Sequence, residues 1–135
     1  MHFSLRQKVL FKHCDPAGIV FYPRYFEMIN DTVETMFSDL LGWPFETMHP
    51  EGGVPTASFD VDFRAPSRHG DVLEWQVTIV GIGGTSMTLQ LVARAQAETR
   101  LTATQVLVCI GADGRSKPWP ANVREKVTKL LEGTS

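Results

Sequence analysis

His13-Cys14-Asp15-Pro16-Ala17-Gly18-Ile19-Val20-Phe21-Tyr22-Pro23 leads directly into a helical pattern that runs to Leu41. The stretch brings a carboxylate, Asp15, to the end of a predicted strand, turns through Pro16 and Gly18, and launches the longest helix. Tyr22, Tyr25, Phe26, Ile29, Val33, Met36, Phe37, Leu40 and Leu41 recur at steps of three and four, which paints one face of an α-helix. Arg24, Glu27, Asn30, Asp31, Glu34, Ser38 and Asp39 fill the other side. Pro23 suits the first turn, where its missing N–H leaves no bond unmade, and Gly42 suits a left-handed stop. About twenty residues at ~1.5 Å each give a rod of roughly 30 Å. The front of such a helix offers free N–H groups and a partial positive charge, and so can hold a negatively charged oxygen.

The bulk properties narrow the function classes. With 135 residues and 43% hydrophobic composition, the chain is expected to form one domain, 1–135, around an ordinary core. A net charge of −2 and a pI near 6.1 argue against a nucleic-acid binder, which carries a broad basic face. Cys14 and Cys109 make no disulfide framework, which points to a reducing, cytoplasmic setting. No apolar run reaches bilayer length, and Met1-His2-Phe3-Ser4-Leu5-Arg6 lacks the apolar centre of a signal peptide.

Outward from the opening stretch, the chain reads mostly as strands. Phe3 to His13 alternates imperfectly and predicts a first strand, with Phe3, Leu5, Val9 and Phe11 on one side. Trp43 to Gly53 reads as a loop punctuated by Pro50 and Gly52-Gly53. From Pro55 the period changes to two: Ala57, Phe59, Val61 and Phe63 alternate with Ser58, Asp60, Asp62 and Arg64. Val72 to Ile82 follows, with Leu73, Trp75, Val77 and Ile79 on one face. Met87, Leu89, Leu91, Ala93 and Ala95 mark the next strand, and a last one spans about Thr99 to Gly111, with Val106, Val108 and Ile110 facing one way. Pro120 to Leu131 predicts a closing amphipathic helix. The order is β-α-β-β-β-β-α with short later links, which favours a largely antiparallel sheet wrapped on one long helix, an α+β fold. An open sheet edge makes pairing with a second copy an economical protection.

Asp15-Pro16-Ala17-Gly18-Ile19-Val20-Phe21-Tyr22-Pro23 with its aromatic-rich helix resembles the signature of the 4-hydroxybenzoyl-CoA thioesterase family, which has the hotdog fold. The resemblance implies an acyl-CoA thioesterase acting on an aromatic or short- to medium-chain acyl group. It implies that Asp15 is nucleophile or general base, and that the Tyr22 backbone N–H polarises the thioester carbonyl. Acyl transfer needs such a pair, one group to activate the nucleophile and one to hold the oxyanion. It further implies a homodimer with sites at the subunit interface, paired into a tetramer. As a plain turn residue Asp15 needs no such role, because Asp before Pro is common at turns.

His13 is expected to share a strand face with Asp15, supporting it or touching substrate, while Cys14 points away and packs. Gly18, Phe21 and Tyr25 are candidate substrate contacts, although Phe21, Tyr22, Tyr25 and Phe26 equally suit core packing. Arg64 and Arg68, with Thr85 and Ser86 after a Gly-rich bend, resemble the family's coenzyme A-facing regions, where cations and donors meet phosphates. Coenzyme A enters only as part of the substrate. Gly81-Ile82-Gly83-Gly84 lacks the context of a dinucleotide fold, and neither metal-ligand spacing nor a Ser-His-Asp elbow stands out, so no cofactor is expected. Two alternatives remain open: a hotdog enoyl-thioester hydratase, and a non-catalytic acyl-CoA-binding module.

Overall fold

The strands with the cleanest alternation form the middle of the sheet. The computed structural model describes residues 2–133. Met1, Thr134 and Ser135, which the single-domain expectation takes in, lie outside the described residues. In chain order the elements are β1 (Phe3–Lys8), α1 (Tyr22–Asp39), a one-turn α2 (Phe45–Met48), β2 (Gly52–Gly53), β3 (Thr56–Phe63), β4 (Val72–Ile82), β5 (Ser86–Ala95), β6 (Glu98–Val108), β7 (Ile110–Gly111) and α3 (Ala121–Glu132). Five strands pair in the order β1-β4-β5-β6-β3, antiparallel throughout. β2 and β7 form a separate short pair.

The inward face collects Leu73, Trp75, Val77 and Ile79 from β4, Met87, Leu89, Leu91 and Ala93 from β5, and Leu101, Ala103 and Leu107 from β6, all buried. α1 lies on this face and buries Tyr25, Met28, Ile29, Thr32, Val33, Met36 and Phe37. Each large apolar side chain so buried contributes on the order of 1.5–3 kcal/mol, which is why this face of α1 turns inward. Gln7 ties β1 to the helix, donating to the Met28 carbonyl at 2.7 Å and to Thr32 Oγ1 at 2.8 Å. This is the hotdog arrangement. Gly42, at φ +65°, ends α1 as expected, and Lys126 of α3 donates to the adjoining Leu41 carbonyl at 3.1 Å.

Several expectations need correction. β1 stops at Lys8, because Val9 exchanges backbone hydrogen bonds with the Gly70–Asp71 segment and the chain then bends into a single 3₁₀ turn, Phe11–His13. Phe11 is 81% exposed rather than packed beside Val9. Gly52-Gly53 is a strand rather than a loop. A Cβ on Gly52 would lie 2.1 Å from the Ile110 carbonyl oxygen, so only glycine lets β2 and β7 approach. The last long strand breaks at Cys109, whose N–H turns to the Thr85 carbonyl. Val106 and Val108 do share a face, but it is the outer one, and Leu101, Ala103, Gln105 and Leu107 carry the core side. At the sheet edge, Ala57 is exposed and Phe63 is 49% exposed, so β3 is less buried than its alternation suggests.

Candidate active site

The Asp15 turn is a miniature hairpin. Gly18 N–H donates to the Asp15 carbonyl and Asp15 N–H to the Ile19 carbonyl, each at 2.9 Å, and Cys14 bridges Val20. Pro16 presets the first corner, and Gly18 takes the left-handed angle, φ +81°, that closes it. The Asp15 carboxylate caps its own loop: Oδ1 accepts from Ala17 N–H at 2.9 Å. Oδ2 has no partner among the described residues, and the side chain is half-buried. Phe21 N–H then returns to the His13 carbonyl at 2.9 Å, and α1 begins at the next residue. Tyr22 N–H is left without an acceptor among the described residues, as the first N–H groups of a helix are. Pro23 contributes no N–H, and Arg24 N–H is used by the Phe21 carbonyl at 2.8 Å.

Beside this helix start lies an open cleft of about 260 Å³, lined by Ile19, Val20, Tyr22, Tyr25, Phe63, Arg64, Ala65 and Pro66. Its lining rings, Tyr22, Tyr25 and Phe63, belong to a longer relay of edge-on and tilted rings. Phe21 meets Tyr22 at 5.6 Å, Tyr22 meets Phe63 at 6.0 Å, Phe63 meets Tyr25 at 5.8 Å and Tyr25 meets Trp75 at 6.4 Å. Tyr25 is only 4% exposed, and Phe26 packs against the core. Phe21 and Tyr22, by contrast, are exposed, so core packing accounts for only half of this aromatic run.

His13 is where the sequence expectation departs furthest from the structure. It sits in the 3₁₀ turn and not on a strand, so strand alternation does not set it beside Asp15. Its Nδ1 accepts from Leu10 N–H at 2.9 Å, which leaves any ring proton of the neutral form on Nε2. Burial of the ring, then the charge of Lys12, lower its pKa from the ordinary 6.5. No hydrogen bond joins it to Asp15. Cys14 packs partly against the core, as expected.

Arg64 borders the cleft, and Arg68 bridges Ile19 through its backbone, so both lie at the Asp15 end of the sheet. Thr85 and Ser86 do not join them. They sit at the β4–β5 tip, where their carbonyls accept from Cys109 N–H at 2.8 Å and Trp119 Nε1 at 3.1 Å. β4 spans 11 residues between the two ends, roughly 35 Å of strand. Within one protomer these residues cannot share a site. Sequence reasoning passed over Phe63, Ala65 and Pro66, which wall the cleft. A strand end followed by Pro was the available signal. Among the described residues no three His, Cys, Asp or Glu side chains converge as a metal site requires.

Residues 9–127 match the model of the thioesterase-like superfamily. No curated protein matches the chain. Among solved structures, a 1,4-dihydroxy-2-naphthoyl-CoA thioesterase from Synechocystis superposes with a TM-score of 0.87 at 20% identity, covering 96% of this chain and 98% of its own. A gentisyl-coenzyme A thioesterase gives 0.85 at 24% identity, over 93% and 99% of the two chains. The 4-hydroxybenzoyl CoA thioesterase of Pseudomonas sp. strain CBS-3 gives 0.85 at 23% identity, over 93% and 98%. At these identities the likeness is one of fold.

Proposed function

We propose, because this chain belongs to the thioesterase-like superfamily, that it is an acyl-CoA thioesterase, releasing coenzyme A and a free acid from an aromatic or short- to medium-chain acyl-CoA. The observation that carries the reading is a coincidence of three features. A carboxylate with one oxygen unpartnered among the described residues rides on a locked hairpin, the same backbone run starts α1 with a Tyr22 N–H that no described residue accepts from, and an apolar, ring-lined cleft opens beside that helix start. In the reaction, Tyr22 N–H and the positive end of α1 hold the carbonyl oxygen as it gains charge. Asp15 either attacks the carbonyl carbon, giving an acyl-aspartyl anhydride that water opens, or takes a proton from the attacking water. In both variants the C–S bond breaks, the thiolate leaves and one water is consumed. The aromatic acyl groups named for the similar solved structures support an aromatic ligand for this cleft.

The working unit is a homodimer, paired further into a tetramer. Arg64 and Arg68 at one end of the sheet, with Thr85 and Ser86 at the other, make a coenzyme A site only if a second copy presents its β4–β5 tip to the first copy's cleft. The outer edge of β3, unpaired among the described residues, supports such pairing. The test is thiol release across aromatic, short, medium and long acyl-CoAs, with Asp15→Asn alongside. Asn keeps the acceptor for Ala17 N–H, so the hairpin survives, and turnover is expected to fall by roughly 10²–10⁴. Folded Asp15→Asn protein with wild-type turnover sinks the assignment. Hydration of crotonyl-CoA without free thiol favours a hydratase instead, and binding without turnover across the panel favours a non-catalytic module.

A further inference from the structure

Arg100 stands on β6 at the end of the sheet that carries the Asp15 hairpin, and its side chain is only 13% exposed. Nη1 donates to Asp71 Oδ2 at 2.8 Å, to Ser67 Oγ at 3.1 Å and to the Pro66 carbonyl at 3.2 Å. Nε lies 2.6 Å from Glu98 Oε1 but off the line of its N–H, so that contact is an ion pair rather than an aligned hydrogen bond. The main chain adds to the grip, since the Arg100 carbonyl accepts from Arg64 N–H at 2.9 Å and Ala65 N–H at 3.3 Å. Asp71 Oδ2 also accepts from Arg68 N–H at 2.9 Å. Burial works against the guanidinium's charge, and the partners Asp71 and Glu98 outweigh it.

The segment held in this way, 64–71, has two faces. Its first residues wall the apolar cleft. Its later residues seat the hairpin: Val20 N–H donates to the Ser67 carbonyl at 2.8 Å, Ile19 bridges Arg68, and His69 N–H reaches the Gly18 carbonyl at 3.5 Å. A single guanidinium therefore stands behind both the wall of the cleft and the seat of the acid. Arg suits this task because Nη1 serves three acceptors on the 64–71 side while Nε faces Glu98 on the other, and the single nitrogen of a shorter Lys side chain cannot meet both sides at once.

We infer that Arg100 and Asp71 are positioning residues. Their ion pair fixes the 64–71 segment and, through it, the placement of Asp15 relative to the start of α1. The catalytic half of this inference rests on the thioesterase reading; the mechanical half does not. Amide hydrogen exchange on Arg100→Lys and Asp71→Asn tests the mechanical half. Val20 N–H is expected to exchange about tenfold or more faster, as loss of a charge-assisted hydrogen bond implies, while the β5–β6 ladder stays at wild-type protection. On the preferred acyl-CoA, kcat is expected to fall about tenfold with KM within about twofold, and the double variant to be no worse than the poorer single one. Unchanged exchange at Val20, or equal acceleration across the whole sheet, overturns the positioning role. Faster exchange at Val20 with unchanged kcat overturns its link to catalysis. Wild-type protein inert on every acyl-CoA refutes the thioesterase reading instead, and the exchange result then decides the clamp alone.

Discussion

Replacing Gly18 by Ala separates the energy of a backbone angle from that of packing. Gly18 lies at φ +81°, and a Cβ built there meets no atom of the described residues within 4 Å. No neighbour has to move, so the penalty is conformational. An L-residue in the left-handed region is disfavoured by about 1–2 kcal/mol, and the stiffer unfolded chain of the Ala variant offsets part of this. A net loss of about 1 kcal/mol follows. Unfolding entropy of about 2.1 cal/mol/K per residue, over 135 residues, is about 0.28 kcal/mol/K, so Tm falls by about 4 °C. Asn enters the left-handed region more readily, and Gly18→Asn is expected to lose about half as much. Thermal unfolding followed by circular dichroism, at one pH and one protein concentration because association shifts Tm, reads both variants. An Ala variant melting with the wild type, or an Asn variant melting below the Ala one, refutes the reasoning.

Three further outcomes are expected. Gly52→Ala drives its Cβ against the Ile110 carbonyl oxygen, 2.1 Å away, and parts β2 from β7, at about 1–3 kcal/mol; an unchanged melting curve contradicts this. The Asp71 carboxyl is held below the ordinary 3.8 by the Arg100 hydrogen bond and then by Arg68 N–H, so its stabilisation is full above that value and lost as pH falls through the lower folded-state pKa. Denaturant midpoints should therefore sag below about pH 4 in wild type and less so in Asp71→Asn; identical sags sink the linkage. Because burial and then Lys12 lower the His13 pKa from 6.5, its neutral ring favours the fold above 6.5, and this contribution is lost as pH falls through the lower folded value. The His13 ring resonance should titrate below 6.5, and a midpoint at or above that value contradicts the assignment.

What the sequence made legible was whatever is periodic. The inward faces of β4 and β5 are the alternating residues themselves, because a strand with one buried face needs that alternation and little else. The stop at Gly42 was equally local. The end of β1 was not, since the bend after Lys8 depends on Val9 bonding to Gly70 and Asp71, far along the chain. Phe11 continues the apolar pattern yet points outward for that reason. Gly52-Gly53 looked like a loop because the advantage of a missing Cβ appears only when the Ile110 carbonyl is in place. The turn at Asp15 is readable from Asp-Pro-Ala-Gly, but not the hairpin it closes, and the helix start gives free N–H groups in general. The cleft is legible only as a strand end followed by Pro, since nothing local says that Phe63 and Pro66 meet the start of α1. Arg100 had no signal at all, for its partners become neighbours only when β6 crosses the 64–71 segment.

The outer edge of β3 carries a last consequence. Asp60 and Asp62 are exposed along it, alternating with Phe59 and Val61, which pack against the core. Fibre growth by in-register stacking of identical chains would set each of these aspartates directly over its own copy, about 4.8 Å away, layer after layer. Such a column of like charges climbs in energy with every layer added. In-register stacking at this edge is therefore opposed by like charge set against like charge.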